Sequence, residues 1–335
     1  MSTLTIDNKL WIKNPLTDSI YFSFGWILVF LALLIFQNHL GLIIVITLLF
    51  NYVHRHLTMA LVYGQKEEFD KRRQVYIYLP VIAVVATALS VYFKVFPYLL
   101  TLSVLWTMYH SVAQKYGFTR IYSRKAGYGK GWVDKGILYS WFFYLFFAML
   151  LYEQSTILKY NAGRVILGHA APYMGYIASL SYILIAVSII FTLIYIYQEF
   201  INRKQISIPK NIFVISTLSI YAIFFHSMII GYVVFGFSHA IEYIAFVNIF
   251  VASKYKKVDD SKKLFKKISN KQWLYSGAFS AVIVVLSLIG MKLDQNAFLI
   301  YIVGSSFLHF IYDGLIWKVR QPEVGRPLDI KYSSA

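Results

Sequence analysis

The sequence predicts an all-α protein of the membrane, a polytopic bundle of about ten transmembrane helices with both termini cytoplasmic. Three observations carry that reading. Of 335 residues, 59% are hydrophobic and only 14% are charged, whereas a soluble domain carries about a quarter charged residues. Apolar runs of membrane-spanning length recur from one end of the chain to the other. The third observation is where the charge sits. The net charge of +17 could suggest nucleic acid, but alternate connections plus the termini hold 26 of the 32 Lys and Arg residues. The opposite connections hold four: Lys94, Lys159, Arg164 and Lys292. That is the positive-inside asymmetry of a multi-pass protein, with anionic lipid headgroups, not nucleic acid, as the partner of the basic loops.

In chain order, residues 1–18 form a cytoplasmic segment with no apolar core followed by a cleavage site, so no removed signal peptide is expected. Spans are expected at 19–37, 40–63, 74–94, 97–118 and 136–153, then at 172–197, 212–229, 231–252, 273–291 and 296–317. The stretch 212–252 is nearly uninterrupted and apolar. As one helix it would be about 60 Å long and overshoot the bilayer, so a tight break near Gly231 is expected. The linker 253–272 is a basic cytoplasmic loop with eight lysines, and 318–335 is a cytoplasmic tail. Arg320 and Arg326 of the tail are expected to meet headgroups. The whole of 1–335 is one transmembrane domain. Cysteine is absent, which excludes disulfides, thiolate metal sites and cysteine nucleophiles.

Ionisable residues inside spans cost roughly 2.5 kcal/mol upward at the bilayer centre, so each is a functional candidate. "NYVHRHLTMALVYG" puts His54, Arg55 and His56 in an oily run. "YHSVAQKYG" places His110 and Gln114 at i, i+4; "SHAIEY" places His239 and Glu242 at i, i+3; "LHFIYDG" places His309 and Asp313 at i, i+4. These spacings put both members on one helix face. At about 1.5 Å per residue, His54, His110 and His309 lie roughly 12–14 Å from the cytoplasmic edge, with Glu242 at about 15 Å, His239 at about 20 Å and His226 at about 21 Å. Histidines from five spans thus share one slab with two acids. His39 and His169 sit in outer connections and are expected to be structural. His54 and His56 are two residues apart and diverge by about 200° on a helix, so only one of them can face the slab.

Neutral imidazoles with carboxylates and no thiolate suit divalent metals. The expected ligands are His54, His110, His239 and His309 with Glu242 and Asp313, and with His226 or His56 as further candidates. The acids could instead orient the imidazoles from behind, and Gln114 would orient bound water or O2. This donor set favours non-haem iron over zinc or haem. The 62 aromatic residues, many of them mid-span as in "WFFYLFF" and "YAIFFH", suit a lipid or isoprenoid substrate entering from the bilayer.

A multi-span chain of this size with single histidines dispersed over several helices resembles the membrane-bound β-carotene 15,15′-dioxygenases of the Brp/Blh type. The resemblance covers architecture and implies an intramembrane iron site and oxidative cleavage of a polyene; it transfers no residue. The closing "HFIYDGLIWKVRQPEVGRPL" resembles the end of uncharacterised bacterial polytopic membrane proteins. The histidine boxes of membrane desaturases are absent. The function expected is a metal-dependent oxygenase or oxidoreductase. The alternatives are an ion- or proton-coupled transporter with a His/acid relay and a bis-histidine haem protein.

Overall fold

The structure, a computed structural model, describes residues 8–256, 269 and 271–330, so the basic loop expected at 253–272 lies largely outside it. The described residues form helices and no strand. Ten long helices order the chain: α1 (Gly25–Ile35), α2 (Leu40–Gly64), α3 (Arg73–Tyr92), α4 (Phe96–Ala126), α5 (Gly131–Tyr152), α6 (Met174–Ile201), α7 (Ile208–His226), α8 (Met228–Lys256), α9 (Gln272–Leu293) and α10 (Gln295–Ile316). Each expected span falls on one of them.

Eight helical stretches are long and apolar enough to cross a membrane, or nine if Pro15–Ser23 and α1, bent by 45°, count as one span. The described residues are therefore all-helical, with about eight candidate membrane spans, as a multi-pass membrane protein has. Two expected spans fall outside the eight: 19–37, which lies on the bent pair, and 97–118, on α4, where Thr101, Ser103, Thr107, Tyr109, His110, Gln114 and Lys115 dilute the apolar residues. Several of its hydroxyls donate to the carbonyl one turn back: Thr101 to Pro97 at 2.8 Å, Thr107 to Ser103 at 2.8 Å and Ser111 to Thr107 at 2.9 Å. Polar groups satisfied within their own helix are tolerated at membrane depth.

The break in 212–252 falls at Ser227, not near Gly231. Ser227 is extended (φ −160°, ψ 123°) and separates α7 from α8. Gly231 serves the packing of the hairpin instead. A Cβ there would stand 2.5 Å from Cγ of Phe224, so its absence lets the two helices approach.

α8 is the axis of the bundle. In its most apolar stretch 83% of residues are buried, against 17% for the corresponding stretches of α3 and α9. It packs against α1, α2, α4, α7 and α9, while α10 closes on α2, α3 and α4. One end of the bundle gathers the segments that the charge asymmetry expects on one side. Tyr122 of α4 donates to Asp18 of the N-terminal segment at 3.0 Å. Arg124 and Lys125 donate to the tail carbonyls of Val319 (3.0 Å) and Leu328 (2.8 Å). Lys254 donates to Gln65 at 2.7 Å, and Lys71 pairs with Glu323 at 2.9 Å. Arg320 and Arg326 are exposed, as expected of headgroup-facing residues.

Candidate metal centre

Four helices each bring a histidine and a polar partner one turn later onto the same face: His54 and Thr58 from α2, His110 and Gln114 from α4, His239 and Tyr243 from α8, His309 and Asp313 from α10. The i, i+4 spacing aligns each pair, and the central position of α8 turns all four faces toward one point. His54, His239 and His309 are 3%, 1% and 1% exposed, so none can satisfy its ring from water.

The rings meet there. Nε2 of His54 lies 3.1 Å from Nε2 of His309. Ring centroids are separated by 4.7 Å for His54–His239, 5.2 Å for His110–His239 and 4.8 Å for His110–His309. His54, His239 and His309 each present a ligand atom within 4.8 Å of the others, and so do His110, His309 and Asp313. Oδ2 of Asp313 stands 3.5 Å from Nε2 of His110 and 3.6 Å from Nε2 of His309. The four histidines expected to converge do so, together with one of the two acids.

A hydroxyl relay behind the rings sets their protons. Tyr243 donates to Oδ1 of Asp313 at 2.7 Å, and Thr58 donates to the same oxygen at 2.9 Å. With its proton committed there, Oγ1 of Thr58 is left to accept from Nδ1–H of His309 at 2.8 Å. Trp317 donates to the Tyr243 hydroxyl at 3.0 Å. Thr58 also lies 2.5 Å from the Tyr243 hydroxyl; with both hydroxyl protons on Asp313, the His309 proton sits on Nδ1 and Nε2 faces His54. This is the outer arrangement that fixes tautomer and orientation of metal-binding histidines. Both groupings contain His309, which joins them.

Glu242 is placed differently from its expectation as a ligand. It belongs to neither grouping. Lys115, fully buried on α4, forms a close ion pair with its Oε1 and also donates to Ser238 at 2.8 Å. Ser238 donates to the same Glu242 oxygen at 2.6 Å. The amide nitrogen of Gln114 donates to the His239 carbonyl at 2.9 Å and to Oε2 of Glu242 at 3.3 Å. Both of these partners are acceptors, so the nitrogen faces them. Gln114 therefore clamps α4 to α8 beside the imidazoles. Neither Lys115 nor the Thr58–Tyr243–Trp317 relay belongs to the expected site.

The remaining histidines stand apart. His56 donates through Nδ1 to the Tyr52 carbonyl at 2.6 Å and reaches the Tyr301 hydroxyl with Nε2, so it faces away from the rings. His226, a further ligand candidate, belongs to neither grouping. It ends α7 and is exposed, because the helix stops at Ser227. His39 and His169 are exposed in their connections, as expected. Arg55 turns to α10, donating to the Ile302 carbonyl at 3.0 Å and to Ser305 at 2.9 Å.

No family model, no curated protein and no solved structure matches this chain. The site is therefore read from its own chemistry. Two nitrogens each about 2.0–2.2 Å from an ion and at right angles about it are about 3 Å apart, which matches the 3.1 Å between His54 and His309. Four imidazoles and one carboxylate, without thiolate, suit iron, manganese or zinc. Haem fits poorly: His54 lies against His239 and His309 at centroid distances of 4.7 and 4.6 Å, which leaves no slot for a macrocycle between them.

A cavity of about 360 Å³ adjoins the group. His110, Gln114, Tyr243 and Asp313 form its polar wall, and Trp106, Phe118, Phe246, Phe310 and Trp317 much of the rest.

Proposed function

We propose that the imidazole group with Asp313 is a mononuclear non-haem iron centre, and that the protein is a membrane oxidoreductase of the oxygenase type acting on a lipid or isoprenoid substrate in the adjoining cavity. The observation that carries this reading is the 3.1 Å approach of the His54 and His309 nitrogens, with His239 grouped with both and His110 and Asp313 grouped with His309. Bound iron supplies the one-electron and O2 chemistry that no side chain of this sequence provides. The chain's own part is structural and electrostatic. Thr58 and Tyr243 hold Asp313 through Oδ1, so that Oδ2 is presented to the ion. Gln114 keeps α4 in register with α8. The aromatic walls exclude water and seat an apolar substrate against His110 and Asp313. Polyene cleavage, implied by the architectural resemblance, would be one reaction of this class.

Elemental analysis with an optical spectrum of detergent-purified protein tests the proposal. About one iron per chain without a Soret band is expected. His54→Ala and His309→Ala should lose it, whereas His56→Ala, His226→Ala and Glu242→Gln should retain it. Absence of any tightly held metal would overturn the reading, and a Soret band would replace it with the haem one.

A further inference from the structure

We infer that the cavity receives a single hydrocarbon chain entering sideways from the bilayer between α4 and α10, through a passage that Gly117 and Gly314 keep open. The inference rests on the functional reading above for what happens to the chain, but not for its binding.

The cavity runs from the depth of the imidazoles to the tail residues Val319 and Val324. Trp106 and Tyr109 line it and are 39% and 47% exposed on the outer surface, and Gly314, also a lining residue, is exposed beside them. Trp106 and Tyr109 precede His110 by four residues and one, so this side of the mouth lies level with the polar wall, while Gly117 and Gly314 lie toward the tail-facing ends of the two helices. A polar headgroup passing there would lose its hydration without compensation; a hydrocarbon chain would not. Trp106 and Phe310 stack across the two helices with centroids 6.1 Å apart and planes within 12°, making a flat apolar side wall.

Neither glycine is needed for backbone geometry or for packing. Glycine within a helix is less favourable than alanine by roughly 1 kcal/mol, and is usually retained for positive φ or for close packing. Neither residue is among the glycines of positive φ, Gly127 and Gly129. A Cβ on Gly117 or Gly314 would meet no atom within 4 Å, whereas one on Gly136 would stand 2.0 Å from Phe191. The space in front of Gly117 and Gly314 is thus filled by none of the described residues.

A volume near 360 Å³ is at the lower end of the ~300–1,000 Å³ typical of small-molecule sites. That is room for one chain segment, not for a two-chain lipid.

Photolabelling of the full-length protein in lipid nanodiscs tests this, with a diazirine-bearing fatty acid and a diazirine-bearing prenyl alcohol as probes. Saturable labelling of the peptides around 106–117 and 310–317 is expected from one of them, competed by its unlabelled parent, which also distinguishes an acyl from a prenyl source. Gly117→Leu with Gly314→Leu should cut that labelling by about tenfold, since overfilling a fitted space costs 1–3 kcal/mol. Metal content should not change. If the leucine variant does not fold, Gly117→Ala with Gly314→Ala, which meets no protein atom, should still lower saturable labelling. Non-saturable labelling by both probes, or equal labelling in a folded variant, would overturn the inference. Lost metal with retained labelling would refute the iron reading alone.

Discussion

Replacing Thr58 with valine removes one hydroxyl and little volume, and the geometry fixes what that should do. Oγ1 of Thr58 accepts from Nδ1 of His309 at 2.8 Å and donates to Oδ1 of Asp313 at 2.9 Å. In the variant Asp313 keeps Tyr243, at 2.7 Å, but the His309 N–H is left buried without a partner. Leaving such a donor unsatisfied costs about 1–3 kcal/mol, and His309 can escape by moving its proton to Nε2. That proton would occupy the lone pair facing His54. Loss of an outer hydrogen bond to a ligating histidine typically lowers metal affinity by 10–100-fold, about 1.4–2.7 kcal/mol. Chelator competition on protein in nanodiscs reads this directly. Thr58→Val should weaken iron binding within that range, and Thr58→Ser, which restores the oxygen, should recover most of it. Unchanged affinity in Thr58→Val would refute the assignment of the His309 proton to Nδ1 and the relay built on it.

Three further outcomes follow from contacts elsewhere. Lys115→Met should destabilise the protein by about 3–5 kcal/mol, because Glu242 would be buried without its counter-charge; thermal unfolding in detergent should show it, and adding Glu242→Gln should restore much of the loss. Lys71 hydrogen-bonds Glu323 and holds its carboxyl below the ordinary value of 4.5. This contact of the tail is therefore at full strength above pH 4.5 and lost as pH falls through the lowered folded value, so hydrogen exchange over 318–330 should rise in acid, and also in high salt because the pair is exposed. Reporter fusions in the connections at 65–72 and 154–160 should give opposite sides of the membrane; one shared side would overturn the charge-based orientation.

Much of the fold and of the site is legible in the sequence, and the part that is not has physical reasons. Helical rise is regular, so matched depth aligns His54, His110, His239 and His309 without knowledge of which helices touch. Rotation about the helix axis has no such regularity. His239 and His309 each have an acid one turn away, yet only Asp313 joins the group, because the face of α8 carrying Glu242 meets Lys115. That partner could have been found. Arg55 and Lys115 are the two basic residues left inside the expected spans, and a buried carboxylate requires a cation. His226 falls in the slab on depth alone because the chain break at Ser227 bears neither glycine nor proline, and extended backbone at a serine leaves no mark in composition. Thr58 and Tyr243 could not be singled out in a chain with 28 tyrosines and a threonine or serine in every span.

The burial of α8 also has a consequence for how the protein is made. A segment carrying Ser238, His239, Glu242 and Asn248 is poorly suited to face lipid, and it emerges from the ribosome after α2 and α4 but before α10. Lys115 is already present when Glu242 enters the membrane, so its charge can be neutralised at once, and His54 and His110 await His239. Asp313 and the ring of His309, common to both donor groupings, arrive only with the last long helix. The nascent chain can therefore insert and shield its buried charges while it is still unable to assemble the full donor set, and on the proposed metal reading loading would wait for α10.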